Sequence, residues 1–355
     1  MALLYKRQGF LFLLRSIMKS SRIILVVILI IAAYAGWNIF GPVVSAPAEK
    51  YLFIRTGETY DEVKTALKDQ HILSGTFIFD KIASILKYKG HIKPGRYEIK
   101  DGSSLLSLVR MLKAGNQSPV KLVINKLRTK EDLASKIGNN FEADSLEVIR
   151  FITNNDSLSQ YHLDTNTVMT VVIPDTYQVL WNTGFKKIFA KLRSAGDLFW
   201  NEERIKKAEA KNLSPAQVYT LASIVEEETN KPEDKLLVAS VYLNRLAAGQ
   251  NLGADPTVKY SMRNFGLKRV LNGHLKYESL YNTYLHKGLP PGPICTPSPK
   301  TIDAVLDAPA TNYMYFVAKP DLKGYSNFSV TYAEHLVNAK AYQRALDSII
   351  LSRQK

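Results

Sequence analysis

Cysteine is almost absent: Cys295 is the only one in 355 residues. An intrachain disulfide is therefore excluded, and a cysteine-rich metal cluster with it. The six histidines are scattered, with no H-E-x-x-H or comparable ligand spacing. No metal and no other cofactor is expected. Acidic residues are missing from the first 22 positions, which hold Lys6, Arg7, Arg15, Lys19 and Arg22. Nucleic-acid signatures are missing too, with neither zinc-finger spacing nor an RNP motif. The net charge of +15 thus gives no nucleic-acid partner by itself, and leaves anionic lipid or an acidic polymer as other basic-surface partners.

What is present begins with an apolar run. Residues Ile23 to Val44 are 22 positions without a charge. At about 1.5 Å per residue they reach roughly 33 Å, enough to cross a bilayer core. The basic residues precede the run, so the positive-inside rule predicts a cytoplasmic tail at 1–22, an anchor at 23–44 and the rest outside. The rival is a cleaved signal peptide with Ser45-Ala46 as its small residues. The run is long for a signal sequence and Pro47 follows directly, so a single-pass anchor is the expectation. Tyr34 and Trp37 suit the outer interface.

The remainder is long enough for two α+β units. Residues 50–120 read as a small module. Tyr51–Arg55 is a strand, Thr59 caps a helix through Val63 and Leu67 to Gln70, and Phe77–Leu86 is a second helix. Gly95–Lys100 is another strand, Ser103 a cap, and Leu105–Leu112 a third helix closed by Gly115. No chemistry shows in it. Residues 121–355 form a larger α+β domain, in which Ile173-Pro-Asp-Thr-Tyr177 is a turn.

The most informative stretch is Ser214 to Asn230. Ser214 is a good N-cap, Pro215 suits the first helical position, and Gln217 completes a capping box. Asn230 and Pro232 are stop signals. Val218, Leu221, Ile224 and Val225 recur at helical spacing, and the same face reaches Glu228. Glu226 lies roughly 200° away and Glu227 roughly 100° away, the latter expected to face water. A carboxyl held against an apolar wall has a raised pKa and can serve as a general acid. The plainer reading is a solvated acidic helix end with Glu228 paired to a Lys or Arg.

A second helix is predicted over Glu233–Ala248, with Asn244 and Arg245 near its end. Gly253–Val258 reads as a polar loop containing Asp255 and Thr257. Tyr281-Asn282-Thr283-Tyr284 and Gly288–Ile294 form a stiff, proline-rich wall for a polar ligand, or an ordinary packed loop. Tyr313–Val317 reads as a buried strand, Asn327-Phe-Ser329 as a polar-aromatic spot, and Tyr332–Leu351 as a helix. One buried-face carboxyl without a Ser-His pair suits a glycosidic bond, whose leaving oxygen needs a proton. A glycan-binding scaffold without catalysis and a glycoside hydrolase with a second carboxylate are the other readings.

Leu221-Ala-Ser-Ile-Val-Glu-Glu-Glu-Thr229 resembles the signature of the MltG (YceG-like) endolytic murein transglycosylases. So do Val238–Leu246, Asp255-Pro-Thr-Val-Lys-Tyr260, Tyr281–Tyr284 with Gly288–Ile294, and Tyr313–Val317, in family order. The resemblance implies a LysM-like module at 50–120 and a YceG-like catalytic domain. It also implies cleavage of the MurNAc-GlcNAc β-1,4 bond within nascent glycan strands to leave 1,6-anhydro-MurNAc ends. It makes Glu228 the catalytic acid and then base. Glu226, Asn244, Arg245, Asp255, Thr257, Tyr281, Asn282, Thr283 and Ser329 are candidates to hold substrate or to support Glu228. Peptidoglycan strands are the implied partner, with cell-wall synthesis machinery such as penicillin-binding proteins, at the inner membrane. The chain departs from the family at Asn125-Lys126 and at Thr170–Ile173, each in place of Glu-Gly, and at Ser326, which takes a histidine's position.

Overall fold

In the computed structural model, residues 22–353 are described, with side-chain burial given for 22–348. The predicted basic tail at 1–22 lies outside this range except for Arg22. Helix α1, Arg22–Phe40, is apolar and long enough to cross a membrane, and none of that apolar stretch is buried, although Ile39 near its end packs against the core that follows. It stops short of the predicted Val44. Gly41 and Pro42 break the helix, and Val44, only 1% exposed, bridges to Ser103 and joins the apolar core that Leu52 and Leu112 also fill.

The chain divides into two compact units: residues up to Val120 with Leu180–Asn182, and Lys121–Val179 with Thr183 onward. In the first, β1 (Tyr51–Ile54), α2 (Tyr60–Asp69), α3 (Phe77–Ile85) and β2 (Gly95–Glu98) follow in β-α-α-β order, and α4 (Leu105–Ala114) completes it. β1 and β2 pair antiparallel, with Tyr51 opposite Glu98. Thr59 and Glu62 make a capping box on α2. Ser104, not Ser103, caps α4, and Gly115 closes it in the left-handed conformation at φ 74°, which glycine adopts without strain. Leu52, Ile54, Val63, Leu67, Phe79, Leu108 and Leu112 fill an apolar core.

The second unit begins with β3 (Val120–Val123), α5 (Lys130–Gly138), α6 (Ser145–Ile152) and α7 (Asn155–Ser159). It continues with β4 (Thr176–Val179), which pairs with β3, then α8 (Phe185–Phe199) and α9 (Glu202–Glu209). Next come α10 (Pro215–Glu228), α11 (Pro232–Ala247), α12 (Asp255–Ser261) and α13 (Pro299–Leu306). An antiparallel pair, β5 (Tyr315–Ala318) and β6 (Ser326–Ser329), and α14 (Tyr332–Arg353) end it. β5 is half-buried rather than buried, since it belongs to a two-stranded sheet.

Helix α10 is the centre of this unit. Its predicted capping box and N-terminal proline are both present. Burial is not confined to one stripe: every residue from Val218 to Val225 is buried, because α11, α12 and α13 all pack on it. A helix enclosed on all sides is a core helix rather than an amphipathic surface one.

Candidate active site

The last turn of α10 carries three successive glutamates, and each meets a different environment. Glu226 is half-buried and tied to the start of α13. Its Oε2 accepts from Lys235 Nζ at 2.9 Å, from Ser298 Oγ at 3.1 Å and from Thr301 Oγ1. Burial pushes this carboxyl up, but the bonds from Thr301, Lys235 and Ser298 outweigh it and leave the pKa below the usual range.

Glu227 does not face water, as the helical spacing suggested. Its side chain is only 17% exposed and lies between Lys126 Nζ at 2.8 Å and Arg128 Nη2 at 3.1 Å. These cations follow β3, which the local spacing of α10 could not reveal. Lys126 is also the residue at one of the family departures.

Glu228 has no carboxylate-to-cation bridge among the described residues. Its Oε1 accepts a hydrogen bond from the buried Tyr242 hydroxyl at 2.6 Å. Burial raises its pKa to about 7. The Tyr242 bond opposes that rise, the charge of Asp255 adds to it, and Lys259 and Arg245 draw it down. Half-buried Glu228 lines a cavity of about 430 Å³ together with Lys126, Glu226, Glu227 and Lys231. A carboxyl with this value is part protonated and part ionised at neutral pH, as a group that gives and then retrieves a proton must be.

Asp255 opens α12 rather than lying in a loop. The Tyr284 hydroxyl donates to its Oδ1 at 2.7 Å. Burial and the Asp255 bond together push the Tyr284 phenol well above its usual range, so it stays a donor. Arg245 donates from Nε to Met314 O at 2.8 Å and from Nη1 to Leu252 O, with its guanidinium 5.5 Å from the Tyr315 ring centre. It is fixed by backbone carbonyls while its charge still bears on Glu228.

The other sequence candidates hold the surroundings together. Thr257 and Thr283 are buried and share a hydroxyl contact of 2.9 Å. Thr283 Oγ1 also accepts from Ala254 N at 3.0 Å, fixing the residue before Asp255. Asn282 is fully buried and donates to Leu275 O and Tyr277 O at 2.9 and 2.8 Å. Asn244 donates to Thr311 O and Tyr313 O at 2.8 and 2.9 Å. Ser329 is 2% exposed and accepts from Asn338 Nδ2. The Tyr281 ring lies tilted against Tyr260, with centres 4.8 Å apart, and its hydroxyl donates to Asn166 Oδ1 at 3.3 Å. Thr257, Asn282, Thr283 and Ser329 are thus buried supports of loops, not open to a ligand.

Sequence reasoning missed Tyr242, Tyr284 and Lys259. Tyr242 lies four residues after Val238 on the buried side of α11, and that spacing was the available signal. Lys259 lies four residues after Asp255 on α12, a signal visible only once that segment is known to be helical.

The model of the YceG-like family matches residues 52–341. The chain is 26% identical over 328 residues to an endolytic murein transglycosylase of Bacillus subtilis, covering 84% of this chain and 88% of that protein. It is also 26% identical to a protein of the same name from Streptococcus pneumoniae, over 78% of this chain but 55% of the longer relative. A crystal structure of a YceG-like protein from Listeria monocytogenes superposes with a TM-score of 0.54 at 25% identity, covering 81% of this chain and 98% of that one. With the family model spanning most of its length, the chain belongs to the YceG-like family.

Proposed function

We propose that this protein is an endolytic lytic transglycosylase of peptidoglycan, with Glu228 as its single acid and base. The observation that carries the reading is the half-buried Glu228 carboxyl, held by Tyr242 through one oxygen at 2.6 Å and raised to about 7. The names of the Bacillus and Streptococcus relatives support the substrate and the reaction class.

Protonated Glu228, with Oε1 engaged by Tyr242, gives its proton to the glycosidic oxygen between MurNAc and GlcNAc. The C1–O bond breaks and C1 takes on oxocarbenium character. The Glu228 carboxylate then takes the proton of the C6 hydroxyl of the same muramyl sugar. The freed oxygen bonds to C1, closing a 1,6-anhydro ring, and no water is consumed. Tyr242 stays protonated throughout, since burial and the charge of Glu228 drive its own pKa far up. Asp255, kept in place by Tyr284, supplies a negative charge near the reacting centre.

A second reading rests on Asp255 itself. Its charge acts on Glu228, so it is the carboxylate available to activate water in a hydrolase. Glu226 is tied to α13 and less suited to that part.

In this reading α1 anchors the protein in the inner membrane with its N-terminus inside. The β-α-α-β module is LysM-like and holds glycan, and the partners are nascent strands with the synthases that make them.

The test is cleavage of defined glycan strands by wild type, Glu228→Gln and Glu226→Gln, with the products weighed by mass spectrometry. Wild type should leave anhydro ends, Glu228→Gln none, and Glu226→Gln a measurable fraction. Ends heavier by one water establish the hydrolase. Wild-type cleavage by folded Glu228→Gln rejects the assignment of Glu228.

A further inference from the structure

The cavity beside Glu228 has one cation more than its anions use. Five charged residues line it: Lys126, Glu226, Glu227, Glu228 and Lys231. Glu226 is paired with Lys235 from outside the lining, at 2.9 Å. Glu227 is paired with Lys126 at 2.8 Å and with Arg128. Glu228 takes its hydrogen bond from neutral Tyr242, and the cations that bear on it are Lys259 and Arg245, not Lys231.

Lys231 is left over. Among the described residues no carboxylate stands within ion-pairing distance of it. Its ammonium instead lies 4.5 Å from the centre of the Tyr325 ring, an arrangement that holds a cation in place without neutralising it. Gly324 makes the room: a Cβ there would lie 3.3 Å from Lys231 Cε, and its backbone sits at φ +84°. The neighbouring Thr229 and Asn230 line the same cavity and add polar, uncharged surface. A half-buried lysine whose ammonium sits on an aromatic ring, at a cavity where Glu226 and Glu227 are already paired, is suited to receive an anion.

We infer that Lys231 is a carboxylate-binding residue of the substrate cleft, and that the anion it receives is a carboxylate of the peptide borne by the muramyl sugar. This rests on the proposed reading of the site and deepens it by adding a requirement on the substrate. The sugar backbone of a glycan strand carries no charge of its own, whereas the peptides on its muramyl residues end in carboxylates. Lys231 follows Glu228 by three residues, so one strand seated over Glu228 brings its substituents within reach of the same cavity. Strands bearing free-acid peptides are then preferred over strands whose peptide carboxylates are amidated.

The experiment measures binding rather than cleavage. An N-acetylmuramyl peptide with free carboxylates and its fully amidated counterpart are titrated by calorimetry into the wild-type protein and Lys231→Gln. Wild type should prefer the acid by about three- to ten-fold, and Lys231→Gln should bind the two within a factor of about two. The acid preference should also weaken in wild type as salt is raised. Equal binding of the two probes by wild type overturns the inference, as does an acid preference that survives in Lys231→Gln. Because no bond is broken here, a negative result beside Glu228-dependent strand cleavage would reject the Lys231 site alone. Loss of Glu228-dependent cleavage beside an intact acid preference would reject the enzymatic reading alone.

Discussion

The two units are built on different principles. The first closes an almost wholly apolar core, with Leu52, Phe79, Tyr97 and Leu112 fully buried. The buried polar side chains among the described residues, from Thr129 through Asp234 and Thr257 to Ser329, all belong to the second unit. Short helices and a two-stranded sheet satisfy their own backbone groups, so the first unit needs little else. The second unit carries a long irregular segment, residues 262–298, with only one short 3-10 turn in it. Its backbone must be met by side chains: Asn282 serves two carbonyls, and Thr296 accepts from Leu127 N and donates to Asn125 O. Ser223 of α10 accepts from Ile294 N. That network holds an irregular wall firmly enough to carry a site, and its cost is vulnerability to the loss of single hydroxyls.

Paired substitutions test this contrast most strongly. Leu112→Ala in the first unit should cost about 2–5 kcal/mol through lost burial and a residual cavity. Thr283→Val in the second, which keeps the shape, should cost about 1–3 kcal/mol, because Ala254 N and Thr257 lose their partner. Denaturant unfolding gives both values. The decisive difference is functional: folded Leu112→Ala should keep its cleavage rate per molecule, whereas Thr283→Val should lose activity as Asp255 shifts. Equal effects on rate would break the comparison.

A further consequence concerns stability and pH. Glu228 has its pKa raised to about 7 from an ordinary 4.5. The native state therefore holds this proton more tightly than the unfolded chain. Stability is unaffected by the group below about pH 4.5, falls as pH rises from there through about 7, and then levels off. At pH 8 the buried anion costs about 3 kcal/mol. Glu228→Gln should lack that penalty, so it should melt higher than wild type at pH 8 and nearly level with it at pH 4.

The smallest expected effect sharpens the site itself. Tyr242→Phe removes the donor that favours the Glu228 anion, so the alkaline limb of the pH–rate profile should move up by about one unit. Turnover should fall by about ten-fold, because Glu228 is then a weaker acid and less firmly placed. An unshifted limb would mean that Tyr242 only fills space.

Much of α10 was legible in the sequence. The capping box at Ser214 and Gln217, Pro215, and the step from Leu221 to Glu228 are local features, and local spacing reads them well. What escaped depends on residues far apart. Glu227 finds Arg128 at a separation of 99 positions, which no helical wheel can show. Tyr242 was passed over for Asn244 and Arg245 because polarity marks a residue as interesting and says nothing of its direction. Polarity likewise leaves open whether Thr257, Asn282 and Thr283 hold substrate or support the site. Their polar groups serve the irregular backbone instead. The end of α1 at Phe40 was missed because Val43 and Val44 are apolar for the sake of a protein core, which hydropathy does not separate from a membrane.

Helix α10 ends in a carboxyl that is part protonated at neutral pH. Glutamate labelled with 13C at the carboxyl, assigned by the signal absent from Glu228→Gln, allows Glu228 to be titrated directly by NMR. The Glu228 midpoint should lie near pH 7, well above that of Glu226. A midpoint near the ordinary value of about 4.5 would contradict it.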